Sequence, residues 1–195
     1  MRRVLVIDDH QPSRRHLVKI LHNGGYQVAG EGASNQNALA LARSAAPDVL
    51  LMAVGLPEVD GIETSREVMQ AHPLPIVLIT SHYDAATIER AKRAGVMGYL
   101  VKPLRPEEFS PAIELAITRF QDFAALRQEN STLKETIESR KFIERAKGLL
   151  MEQRNLTEDQ AYTLMKKASM NMRKPMAEVA QAIILAGGFF KGDKA

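Results

Sequence analysis

Five short runs rich in valine and isoleucine, at residues 4–7, 26–29, 49–54, 76–80 and 98–101, constrain this chain more than any other feature. They lack the polar alternation of a half-exposed strand, so each is expected to be covered on both faces, as parallel strands are. Helical spacing fills the gaps between them: Leu17, Ile20 and Leu21 make one stripe, Ala38, Leu41, Ala42 and Ala45 a second, and Ile88, Ala91 and Ala94 a third. Gly24-Gly25, Pro47-Asp48, Pro73-Leu74-Pro75 and Gly95 punctuate the ends. The alternation predicts an α/β fold, a doubly wound five-stranded parallel sheet over residues 1–120. In that class the chemistry collects at the carboxyl ends of the strands.

The residues at those ends are polar and specific. The first run stops at Asp8-Asp9, the fourth at Thr80-Ser81, and the fifth, after Tyr99, at Lys102-Pro103. Two carboxylates suit a hard cation such as Mg²⁺, and a hydroxyl and a lysine suit phosphoryl oxygens. Leu56-Pro57-Glu58-Val59-Asp60-Gly61 follows the third run. This ordered set closely resembles the receiver domain of two-component response regulators, across about residues 1–120. The resemblance implies a pocket of Asp8, Asp9, Thr80, Lys102 and Tyr99, with a phospho-accepting aspartate four residues before the proline. That position is Ala53, and a methyl group neither accepts phosphate nor ligates metal. The acceptor was lost naturally or replaced. Either way, no aspartyl phosphate is expected, and Asp8 and Asp9 alone would hold Mg²⁺ weakly or as a vestige. In the blander alternative Lys102 merely neutralises the two acids.

From Pro106 no strong helix stop appears until about Asn155. Proline in the first turn, followed by Glu107 and Glu108, is a sound helix start. Phe123, Leu126, Asn130, Leu133 and Ile137 alternate steps of three and four, a coiled-coil seam with Asn130 at an a position. Arg119 and Arg140 occupy the flanking d positions and end the seam. Residues 121–138 therefore read as a connector helix that forms a homodimer, or else as a helix packed on its own sheet.

Beyond it, residues 139–195 read as a small all-α domain of three helices. Phe142, Ala146, Leu149 and Leu150 share one face, and Thr157-Glu158-Asp159-Gln160 is a capping box opening the next helix. A third runs from Lys174-Pro175 through Met176, Val179, Ala180 and Ile183 to a stop at Gly187-Gly188. The charge is uneven. Residues 1–120 hold 13 basic and 13 acidic side chains, whereas residues 140–174 hold 9 basic against 4 acidic, so a polyanion is the natural partner of the tail.

Arg145-Ala146-Lys147-Gly148-Leu149-Leu150-Met151, the capping box, Ala161-Tyr162, Ala168 and the Val179-Ala180 helix together resemble the ANTAR domain of transcription antitermination regulators, over about residues 135–187. The resemblance implies a dimeric RNA-binding antiterminator that engages paired stem-loops in leader transcripts. Arg140, Lys141, Arg145, Lys147, Arg173 and Lys174 are the candidate phosphate contacts, and Tyr162 is a candidate stacking residue with half-buried packing as its alternative. Other implied partners are a sensor histidine kinase or a regulatory partner protein.

Alternatives from other classes remain open at this point. One is a DNA-binding response regulator, although no helix-turn-helix turn is evident. Another is a protein-interaction module with a merely solubilising basic face. An enzyme is not expected: no nucleophile–base pair lies outside the receiver pocket, and Gly30-Glu31-Gly32 lacks the third glycine of a dinucleotide loop. No cofactor is expected beyond the weak Mg²⁺. The chain has no cysteine, which excludes disulfides and thiolate metal sites. No apolar run approaches a membrane span, and the N-terminus runs straight into acid, so a cytoplasmic location is expected.

Overall fold

The computed structural model describes residues 1–81 and 84–190, with the side chains of 187–190 left aside. The chain divides into two compact units, Met1–Ala125 and Leu126–Ala195. The first alternates β1 (Arg3–Ile7), α1 (Gln11–Asn23), β2 (Gln27–Gly32), α2 (Asn35–Ser44), β3 (Val49–Ala53), α3 (Gly61–Ala71), β4 (Ile76–Thr80), α4 (Ala85–Arg93) and β5 (Gly98–Val101). A single 49-residue helix, α5 (Pro106–Arg154), carries the chain into the second unit, followed by α6 (Glu158–Met172) and α7 (Met176–Phe190).

The five strands form one parallel sheet in the order β2-β1-β3-β4-β5. Because side chains alternate across a strand, each apolar run feeds both faces. Val4, Val6, Leu51, Val77 and Ile79 pack with Leu17 and Leu21 of α1 and with Phe109, Ile113, Ala116 and Ile117 of α5. Leu5, Ile7, Leu50, Met52, Ile76 and Leu78 pack with Ala38 and Ala42 of α2 and with Ile62 and Val68 of α3. Full burial of each such aliphatic side chain contributes about 1.5–3 kcal/mol before conformational entropy is set against it.

The helices start where a side chain can take an orphan amide. Ser34, Asp60, Asp84 and Thr157 cap α2, α3, α4 and α6. At Thr157 the expected capping box is complete, with Gln160 Oε1 accepting from the Thr157 amide at 2.9 Å. In the second unit Ala146, Leu150, Ala161, Met165 and Ala180 form a separate small core shared by α5, α6 and α7.

Three expectations need adjustment. Strand β2 runs on through Gly30-Glu31-Gly32, because the backbone of those residues pairs with Leu5, Val6 and Ile7 of β1. Strand β3 ends at Ala53, one residue short of Val54. Helix α7 continues past Gly187-Gly188 to Phe190, since interior glycine lowers helix stability by only about 1 kcal/mol against alanine. Residues 191–195 of the expected C-terminal domain lie outside the described residues.

Gly61, the first residue of α3, sits against the end of β3. A Cβ there would come within 2.1 Å of the Ala53 carbonyl oxygen and 3.0 Å of Val54 Cα, both backbone atoms that have nowhere to go. Gly61→Ala is therefore expected to destabilise the first unit by about 1–3 kcal/mol, seen as a lower denaturant midpoint. An unchanged midpoint would show that α3 is not seated on β3 in this way.

Candidate functional site

The carboxyl edge of the sheet brings Asp9, Ala53, Thr80, Ser81, Thr87 and Lys102 around a cleft of about 300 Å³. Asp8, at the end of β1, is fully buried, while Asp9 beside it is exposed. The buried carboxylate is well satisfied. Its Oδ1 accepts from the His10 amide at 2.9 Å, and its Oδ2 accepts from Ser13 Oγ at 2.7 Å and Lys102 Nζ at 3.3 Å. Lys102 thus neutralises Asp8, whereas Asp9 makes no ion pair among the described residues. Tyr99 on β5 is half exposed, and Ala53 is buried on the floor of the cleft.

These residues do not fit a resident divalent cation. Mg²⁺ needs several oxygen ligands in octahedral geometry. Here Asp8 is occupied by three donors, Ala53 offers a methyl group, and Asp9 is left as the lone carboxylate facing the cleft. No group of three or more potential metal ligands occurs among the described residues. Asp60 is equally unsuited to act as an acceptor. It caps α3 through the Glu63 amide at 2.8 Å and hydrogen-bonds Arg90 of α4. Burial pushes its carboxyl up, but Arg90 and the capping amides outweigh that and hold it below the usual carboxylate value.

The candidate cationic residues of the second unit separate by environment. Arg140, Arg145 and Arg173 are exposed. Lys141 and Lys174 are also exposed and pair with Glu138 at 2.7 Å and Glu178 at 3.1 Å, surface ion pairs of the kind that contribute little. Lys147 differs: only 8% of the residue is exposed, and its Nζ bridges Glu158 Oε1 at 2.6 Å and Glu144 Oε1 at 2.9 Å. Its charge is committed to joining α5 to the first residue of α6. Tyr162 is 46% exposed, about half open to solvent.

A groove of about 540 Å³ between the end of α5 and α6 was not anticipated. Arg154 and Lys167 flank it, with Leu156, Leu164, Gln160 and Thr163 along its lining. The sequence signal is weak, since Arg154 and Lys167 enter only through the overall basic excess of residues 140–174.

The Lys147 bridge has a pH signature. Hydrogen bonds that Lys147 donates to Glu158 and then Glu144 raise the lysine above its ordinary 10.5, and Lys147 lowers Glu158 below 4.5. The lysine's share of stability is complete below pH 10.5 and lost as pH rises through its raised value. Glu158's share is present above pH 4.5 and lost as pH falls through its lowered value. Lys147→Met is therefore expected to lower the unfolding midpoint of the second unit at neutral pH, with the difference from the unaltered chain shrinking as pH falls below 4.5. A difference independent of pH would remove the ion bridge from the account.

Comparison with known proteins agrees with these two units. The sequence matches the response regulator receiver domain over residues 4–114 and the ANTAR domain over residues 131–184. It is 40% identical over 183 residues to the transcriptional regulatory protein PdtaR of Mycobacterium tuberculosis, spanning 94% of this chain and 89% of that protein. Its fold is similar to the receiver domain of a modulated diguanylate cyclase from Desulfovibrio desulfuricans, with TM-score 0.58 and 33% identity, covering 62% of this chain and 97% of that one. A LuxR-family response regulator from Aurantimonas is similar at TM-score 0.58 and 32% identity, covering 60% and 86%. The chain belongs to the two-component response regulators that join a receiver domain to an ANTAR domain.

Proposed function

We propose that this chain is an RNA-binding transcription antiterminator that holds paired stem-loops of a leader transcript as a homodimer. Residues 1–120 serve as receiver, 121–138 as dimer connector and 139–195 as RNA-binding domain. The observation that carries the reading is the ANTAR match over residues 131–184, coinciding with the concentration of exposed cations. Exposed loop bases are readable where the narrow major groove of A-form RNA is not, and arginine and lysine supply the phosphate contacts. Arg140, Lys141, Arg145, Arg173 and Lys174 fill that role, with Tyr162 available to stack. Lys147 acts at one remove, by seating α6 on α5.

The dimer follows from the connector. Every residue from 121 to 138 is exposed, and Phe123, Leu126, Leu133 and Ile137 are between 48% and 62% exposed on one stripe. A second chain covering that stripe would bring two RNA-binding domains to one transcript and add affinity through effective concentration. A leader transcript is met in the cytoplasm, which is where this reading places the protein. No helix among the described residues is long and apolar enough to cross a membrane.

With Ala53 at the acceptor position, the receiver is not switched by aspartyl phosphate. A sensor kinase can contact it without leaving a phosphoryl group, and a partner protein becomes the natural source of regulation. Incubation with acetyl phosphate is expected to leave the mass of the chain unchanged, while Ala53→Asp gains one acid-labile phosphoryl group. Phosphorylation of the unaltered chain elsewhere in the cleft would contradict this.

RNA binding is tested by titrating the full chain with a two-hairpin RNA, a single hairpin and a duplex DNA at one near-physiological salt concentration. The two-hairpin RNA is expected to bind about 100-fold more tightly than the single hairpin, from avidity alone. Arg145→Gln and Arg173→Gln should each weaken it and reduce the salt slope by about one. Preference for the duplex would favour a DNA-binding regulator, and no binding to any of the three would sink the reading.

A further inference from the structure

The groove between the end of α5 and α6 is built from residues outside the set of RNA contacts named above. Asn155, at φ 50°, turns the chain sharply after Arg154, and Arg154 and Leu156 line the groove from that side. On α6, Gln160, Thr163, Leu164 and Lys167 recur at helical spacing along one face, beside the face that carries Ala161 and Met165 into the small core. Leu156 and Leu164 make the walls apolar, and Leu164 is 37% exposed with nothing covering it. A space of about 540 Å³ is within the range of clefts that take small organic groups.

The polar groups of the groove have bonding capacity left over. Gln160 Oε1 accepts from the Thr157 amide, but its Nε2 and the Thr163 hydroxyl have no partner among the described residues. Arg154 and Lys167 are exposed and make no ion pair among those residues, unlike Lys141, Lys147 and Lys174. Two unpaired cations beside two leucines suit a ligand with flat apolar faces and phosphate on its flanks. A nucleotide taken out of its stack has that chemistry: its base packs on apolar or guanidinium surfaces and hydrogen-bonds along its edge. Asp159 divides the groove, because its carboxylate repels phosphate yet accepts from the ring and amino N–H groups of a base. Lys167 lies eight residues further along α6, about 12 Å away, where a phosphate escapes that repulsion. A duplex offers no free base to such a concavity, so the occupant comes from a single-stranded loop.

We propose that this groove holds one unstacked nucleobase of a hairpin loop. Leu156, Leu164 and the Arg154 guanidinium lie against its faces, Asp159, Gln160 and Thr163 meet its edge, and Lys167 takes an adjoining phosphate. The site rests on the RNA-binding reading above and deepens it. Exposed cations attract any RNA, whereas the groove makes the chain sensitive to what stands in the loop.

The test titrates the full chain with the two-hairpin RNA and with copies carrying an abasic nucleotide at one loop position of both hairpins, each position in turn. One position is expected to weaken binding by the unaltered chain about tenfold or more, the usual effect of losing one packed base. Leu164→Glu closes the groove and should weaken the intact RNA by a similar factor, with no further loss from the abasic nucleotide. Mere repulsion by the new carboxylate would leave the abasic penalty in place, and that result overturns the proposal. Thr163→Val keeps the shape of the wall and should cost the intact RNA about fivefold and the abasic RNA nothing. Lys167→Gln should weaken both RNAs alike and lower the salt slope by about one per bound chain. Circular dichroism and urea midpoints check that each variant folds. Tight RNA binding that is indifferent to every abasic position, or to Leu164→Glu and Thr163→Val together, overturns the groove and leaves the RNA reading standing on Arg145 and Arg173. Failure of the unaltered chain to bind the intact RNA removes the RNA reading itself.

Discussion

A parallel sheet that is apolar on both faces has to be covered twice, and the first unit is organised around that requirement. The runs that build β1, β3 and β4 have no wet side, so each crossover must be a helix and each helix must present an apolar stripe. The crossovers leave all the strand-to-helix turns at one edge. That is why residues far apart in sequence, Asp8 and Lys102 among them, meet within hydrogen-bonding distance. The same requirement draws the first turns of α5 onto the sheet through Phe109, Ile113 and Ile117 and starts the long helix that serves the second unit.

The cleft keeps the shape of a receiver site without its central group. Asp8 is held by an amide, a serine and a lysine, and Gly61 packs against the Ala53 carbonyl. These contacts serve stability whether or not chemistry occurs there, so the fold has no reason to relax when the acceptor is missing. In the function proposed above, regulation acts through the surface of the receiver. The connector transmits it in that reading, since residues 121–138 are exposed and an association of about three heptads interrupted by one asparagine is readily biased.

Most of this was legible in the sequence, for identifiable reasons. Strands buried on both faces write themselves as unbroken Val/Ile runs, so the expected and observed bounds of β4 coincide. The capping box at Thr157 is a local four-residue signal and was read correctly. Gly30 and Gly32 misled because glycine usually marks a turn. Here Gly32 is an edge-strand residue where a Cβ would come within 2.5 Å of Asn37 Cβ and 2.7 Å of Ile7 Cδ1. Lys147 was indistinguishable from its exposed neighbours, because its burial depends on Glu158, eleven residues on and across a helix break. A charge count registers the lysine and not its partner.

The central claim is that two chains act together on one RNA without any phosphoryl group on the receiver. The mass of the complex between the full chain and a two-hairpin RNA, measured in solution with no phosphodonor present, tests it most directly. The account predicts two chains on each RNA. One chain per RNA, or a complex that forms only once a phosphodonor is added, would contradict it.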